Sequence, residues 1–96
     1  MKVIARPIGT NKTKELLELA DKNDGLVLTT TKRALKVKAD AYGLTNLIIV
    51  DPTDLVEQNY PEDKPLYIHK AADVLKEFFK TYFDLELEGF SVTMEE

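Results

Sequence analysis

Lys2-Val3-Ile4-Ala5, then Arg6-Pro7-Ile8-Gly9-Thr10-Asn11-Lys12-Thr13, then Lys14-Glu15-Leu16-Leu17-Glu18-Leu19-Ala20 read as a short apolar strand, a tight loop and an amphipathic helix. The same alternation continues along the chain. Gly25-Leu26-Val27-Leu28-Thr29 is a β-branched, apolar run that follows the turn signal Asn23-Asp24-Gly25. Lys32 to Tyr42 carries Ala34, Leu35, Lys38, Ala41 and Tyr42 at helical spacing, with Gly43 where a helix end wants left-handed backbone. Leu47-Ile48-Ile49-Val50 is a continuous apolar run, the pattern of a parallel strand buried on both faces.

Beyond it, Asp51-Pro52-Thr53-Asp54 turns the chain, and Asp54 to Gln58 is expected to form one or two helical turns. Asn59 to Pro65 is polar, holds two prolines and reads as a loop, and Leu66-Tyr67-Ile68-His69 reads as a further strand. Ala71 to Phe83 is the strongest helix, with Ala71, Ala72, Val74, Leu75, Phe78, Phe79, Tyr82 and Phe83 as a wide apolar stripe. The aromatic members Phe78, Phe79, Tyr82 and Phe83 are expected in the core, or in part at an interface if the stripe is too wide for one sheet face. Leu85, Leu87, Phe90, Val92 and Met94 alternate in the manner of an edge strand over 85–94, antiparallel because the link from Phe83 is too short for a crossover. Strand and helix in alternation predict one α/β domain over residues 1–96: a three-layer, open, mostly parallel sheet with helices on both faces.

Composition narrows the function classes. At 96 residues and 44% hydrophobic the chain can bury one core, covering roughly 60–65% of its unfolded surface. A formal net charge of −4 argues against broad nucleic-acid binding, which positive charge drives. The absence of cysteine excludes disulfides, thiolate metal sites and a cysteine nucleophile, and a single histidine excludes a multi-histidine metal centre. No apolar run approaches the ~20 residues of a membrane span, and the start lacks the apolar core of a signal peptide. A cytoplasmic protein with no membrane contact is expected.

With its loop opening a helix on Lys12-Thr13, the start of the chain resembles the phosphate-binding loop of P-loop NTPases, whose pattern is G-x-x-x-x-G-K-[ST]. Arg6 and Asn11 stand where the two glycines belong, and Pro7 removes a backbone donor. The stretch Leu26-Val27-Leu28-Thr29-Thr30-Thr31-Lys32-Arg33-Ala34 is similar to the strand, Thr-rich turn and basic helix that follow that loop in helicase-like P-loop domains, and to small phage and prophage proteins built on the same half. The resemblance implies a P-loop NTPase-like fold and ATP or GTP with Mg2+ as ligand, held weakly or not at all. Gly9, Asn11, Lys12 and Thr13 would face the phosphates. Lys32 and Arg33, with Lys36 and Lys38, would be the contacts to single-stranded nucleic acid, a role the acidic chain disfavours against a solvated helix face.

A working NTPase also needs an acidic residue at a buried strand end to hold magnesium. Asp51 has the form for it but precedes Pro52; at the end of the next strand His69 and Lys70 replace the acidic pair of the helicase-like proteins, and Lys70 would repel the metal. His69 has no obvious nucleophile beside it, Ser91 being the only serine, and is expected to make local hydrogen bonds. No catalytic residue is assigned. The expected function is therefore a degenerate, non-hydrolysing binding or assembly module with a protein partner. Two alternatives stand beside it: an active or nucleotide-sensing ATP/GTP-binding protein using Lys12, Thr13 and Asp51, and an unrelated α/β interaction domain. In the plainest alternative for the loop, Thr10 or Asn11 caps the helix Thr13–Lys22 and Lys12 is solvated.

Overall fold

Three short apolar runs cannot satisfy their own backbone groups, and here they do so by pairing side by side. The computed structural model describes residues 12–91. Among them the order is α1 (Lys12–Lys22), β1 (Leu26–Leu28), α2 (Lys32–Ala41), β2 (Ile48–Val50), α3 (Pro52–Val56), β3 (Leu66–Ile68) and α4 (Ala71–Phe83). The strands form a three-stranded sheet in the order β2-β1-β3, both pairings parallel. This is an α/β protein.

Alternate strand residues enter two separate apolar clusters, as the pleat requires. Val27 of β1 and Ile49 of β2 pack with Leu17 and Ala20 of α1, Leu35 and Ala39 of α2, and Leu47, bordered by Leu44 and Tyr67. Leu28 and Val50 pack instead with Val74 of α4, bordered by Ile48, Leu55 and Tyr60. Helices α1 and α2 thus present their buried residues at i, i+3 and i, i+4 spacing, one stripe each.

The turns are set by local chemistry. Asp24 takes left-handed backbone (φ 54°) after α1, and Gly25 N–H donates to the Ala20 carbonyl at 2.8 Å. Gly43 follows α2 at φ 81°, where a side chain is strained. Asp51 begins α3 as a capping box: its carboxylate accepts the Asp54 N–H at 2.8 Å, the Asp54 carboxylate accepts the Asp51 N–H at 3.1 Å, and Pro52 takes the first helical position.

Two expectations are corrected. No strand forms over 85–91, the described part of the predicted 85–94 strand. Asp84 ends α4 in left-handed backbone (φ 52°), and the Leu85 N–H is taken by the Phe79 carbonyl at 3.1 Å, so the chain folds back on the helix end. The aromatic residues of α4 are not core. Val74 is the one buried position of that helix; Phe78 meets Phe79 edge-on and Tyr82 and Phe83 at a tilt, with ring separations of 5.3–5.8 Å, and Phe83 is 57% exposed. The expected strand near 2–5 lies outside the described residues. The helical turns expected over 54–58 begin earlier, at Pro52, because the Asp51 cap starts them there.

Candidate functional site

The strands end in step, since Leu28 pairs with both Val50 and Ile68. The next residue of each, Thr29, Asp51 and His69, therefore leaves the sheet along one edge, the carboxyl edge where open parallel sheets gather their ligands. Backbone bonds carry the register one step further: Thr29 N–H donates to the Val50 carbonyl at 3.0 Å, and His69 N–H to the Leu28 carbonyl at 2.9 Å.

Thr29 and His69 are the buried polar residues of the described chain, His69 at 6% exposure. The Thr29 hydroxyl accepts the Thr31 N–H at 3.2 Å and lies 3.3 Å from Thr31 Oγ1 and 3.0 Å from His69 Nδ1. On its other side the imidazole meets the first turn of α1, with Nε2 3.3 Å from Thr13 Oγ1. A chain of hydrogen bonds thus runs Thr31–Thr29–His69–Thr13. Either neutral tautomer satisfies it. With the proton on Nε2, the Thr29 hydroxyl donates to Nδ1 and Nε2–H donates to Thr13; with the proton on Nδ1, both directions reverse. These partners are 40 and 56 residues away in sequence, so the expectation of local hydrogen bonds for His69 is corrected.

Burial is the main cause that lowers the His69 pKa, and the ammonium groups of Lys70, Lys38 and Lys12 act in the same direction against Asp73. Folding therefore holds the imidazole neutral more firmly than the unfolded chain does. Stability is fully present above the unfolded value near 6.5 and falls as pH drops through it and through the lower folded value. Chemical-denaturant midpoints across that window should decline with acidity in the natural chain and flatten in His69→Gln. A midpoint insensitive to pH there refutes this electrostatic account.

The remaining sequence candidates divide clearly. Lys12 is exposed at the first position of α1 and Thr13 lies beside His69, whereas Gly9 and Asn11 fall outside the described residues. Asp51 sits at the end of β2, its carboxylate engaged in the α3 cap. Lys32 donates to the Asp54 carboxylate at 2.7 Å; that bond is the main cause that raises the Lys32 pKa and lowers that of Asp54. Lys36 is bound to Asp40 at 3.1 Å and to the Thr45 carbonyl at 3.0 Å. Of the basic run, Arg33 is exposed at the second position of α2. Lys38 of the same helix is exposed as well.

A magnesium shell fits this donor set poorly. Hard divalent cations want several oxygen ligands, carboxylates above all. The group facing Thr13 is an imidazole followed by Lys70, Asp51 accepts the Asp54 N–H through Oδ1, and Asp54 is shared between Lys32 and the Asp51 N–H. No cluster of three or more His, Asp or Glu side chains able to hold a metal occurs among the described residues.

Sequence reasoning missed Thr29 and Thr31 as partners of His69. The available signal was position: a Thr and a His each directly after an apolar run, on strands that pair. Among the described residues no helix is long and apolar enough to cross a membrane. No protein-family model, curated protein or solved structure matches the chain.

Proposed function

We propose that the chain is a degenerate, non-hydrolysing P-loop-like domain of the phage or prophage type, three-layered, that binds the phosphates of ATP or GTP weakly and serves as a binding or assembly module. One observation carries the reading. The Thr13–His69 contact joins the helix that opens on Lys12-Thr13 to the carboxyl end of β3, the neighbourhood a phosphate loop needs. The two apolar clusters fed by alternate strand residues support the layered arrangement. At the strand end where helicase-like P-loop proteins carry an acidic pair, His69 and Lys70 offer no carboxylate, which supports binding without turnover.

Thermal unfolding with and without ATP or GTP tests it. Ligand at 100 times its dissociation constant should add about 2.7 kcal/mol of stability. Lys12→Ala should remove that gain, because its ammonium is the main positive charge expected at the phosphates, and phosphate release should stay at the level of buffer. No stabilisation by either nucleotide overturns the phosphate-binding reading. Magnesium-dependent turnover lost in both Lys12→Ala and Asp51→Asn replaces it with an active NTPase. Nucleotide binding untouched by Lys12→Ala shows that the phosphates sit elsewhere.

A further inference from the structure

We infer that the outer side of α2 docks on the apolar, acidic surface made by the end of α4 and residues 84–90 of a second copy of this chain, so that copies join head to tail. This gives the assembly role proposed above its partner and does not depend on nucleotide binding.

A helix side turned to solvent ordinarily carries polar residues. On α2 the core side holds Leu35 and Ala39. The opposite side holds Ala34, Val37 and Ala41 in one stripe, with Arg33 on one flank and Lys38 on the other, all exposed, Val37 at 66%. Tyr42 continues it at the helix end, with the Lys14 ammonium 5.7 Å from its ring centre. The helix carries four basic side chains against Asp40, whose carboxylate is taken by Lys36. This is an apolar surface with a basic rim.

The other surface has the opposite charge. Leu85 and Phe90 are 58% and 50% exposed, and they follow Phe83 at the end of the α4 aromatic cluster. Together α4 and residues 84–91 carry five acidic side chains against Lys76 and Lys80, and Lys80 is held by Asp84 at 3.1 Å. Asp84, Glu86, Glu88, Glu95 and Glu96 make residues 84–96 the source of the whole net charge. Residues 1–83 hold 12 acidic and 13 basic side chains. An apolar centre with an acidic rim thus matches an apolar centre with a basic one.

One chain does not bring its own two surfaces together. Helix α2 packs with Val27 and Ile49, and α4 with Leu28 and Val50, so the alternation of the pleat assigns them to separate clusters. A second copy supplies the match. Because the two patches differ, the contact is heterologous and each copy keeps one of each to offer, which builds a ring or an open chain.

Light scattering and sedimentation of the full chain, without nucleotide, test this. The weight-average mass should rise with concentration and fall back as salt screens the rims. Arg33→Glu with Lys38→Glu, and separately Glu86→Lys with Glu88→Lys, set like charges face to face. Each double variant should raise the dissociation constant at least about tenfold. An equimolar mixture of the two meets every reversed rim with a complementary one and should recover the mass of the natural chain. Val37→Ser and Phe90→Ser, which change no charge, should weaken association at low and high salt alike. A natural chain that stays monomeric overturns the inference and leaves the two surfaces to a different protein. Association that ignores both reversals, or a mixture that does not recover, also overturns it. None of these outcomes bears on phosphate binding, which the nucleotide-dependent unfolding decides.

Discussion

Leu17→Ala should lower the unfolding free energy by about 3 kcal/mol. Leu17 is fully buried in α1, inside the cluster it forms with Val27, Leu35 and Ile49. Truncation removes the transfer free energy of its side chain and leaves a cavity between two helices and the sheet that close packing cannot fill without backbone movement. A domain of this size loses about 4–8 °C of melting temperature per kcal/mol, so a fall of about 12–24 °C is expected by calorimetry or circular dichroism. Leu17→Met, which keeps the volume, should cost less than about 1.5 kcal/mol. A drop of only a few degrees for Leu17→Ala means that α1 is not packed on β1 as described.

Gly25→Ala should cost about 3 kcal/mol, at the upper end of what overpacking does. A Cβ at position 25 meets the Tyr67 ring at 2.6 and 2.8 Å and the Pro65 carbonyl at 2.8 Å. Neither neighbour yields easily. The Pro65 carbonyl accepts the Leu26 N–H at 2.8 Å, the bond that leads into the β1–β3 pairing, and the Tyr67 hydroxyl accepts from Asn23 Nδ2 at 2.8 Å while its ring borders the core. The substitution therefore presses β1 and β3 apart at their start. Gly43→Ala is the informative comparison: nothing lies near its Cβ, so its left-handed φ of 81° is the whole cost, about 1 kcal/mol. Equal denaturant midpoints for the two variants refute the steric account of Gly25.

Much of the fold is legible in residue order. The helix Ala71–Phe83 coincides with its apolar stripe, and β1, β2 and β3 each sit inside the run predicted for them. Local patterns set these elements, because a run of apolar β-branched residues or a 3.6-residue stripe needs no distant partner to be recognised. The 85–94 stretch shows where pattern fails. Its alternation is that of a strand, but a strand exists only with a neighbour to bond, and the left-handed turn at Asp84 commits the Leu85 N–H to the end of α4. The wide stripe of α4 fails similarly: periodicity marks a face as apolar without saying what covers it, and Phe83 is left exposed.

For the candidate site, the residues by themselves determined which chemistry is on offer. They supply Lys12 and Thr13 at a helix start, no cysteine, one histidine, and His69-Lys70 in place of an acidic pair. Tertiary structure alone decided which groups meet. The order β2-β1-β3 puts the end of β3 directly beside the end of β1 although β2 intervenes in the chain, and so joins His69 to Thr29 across 40 residues and to Thr13 across 56. The same topology gives Lys32 to Asp54, 22 residues on. Such contacts follow from strand order and register, which are settled by burying both sheet faces at once and have no counterpart in any local stretch of sequence.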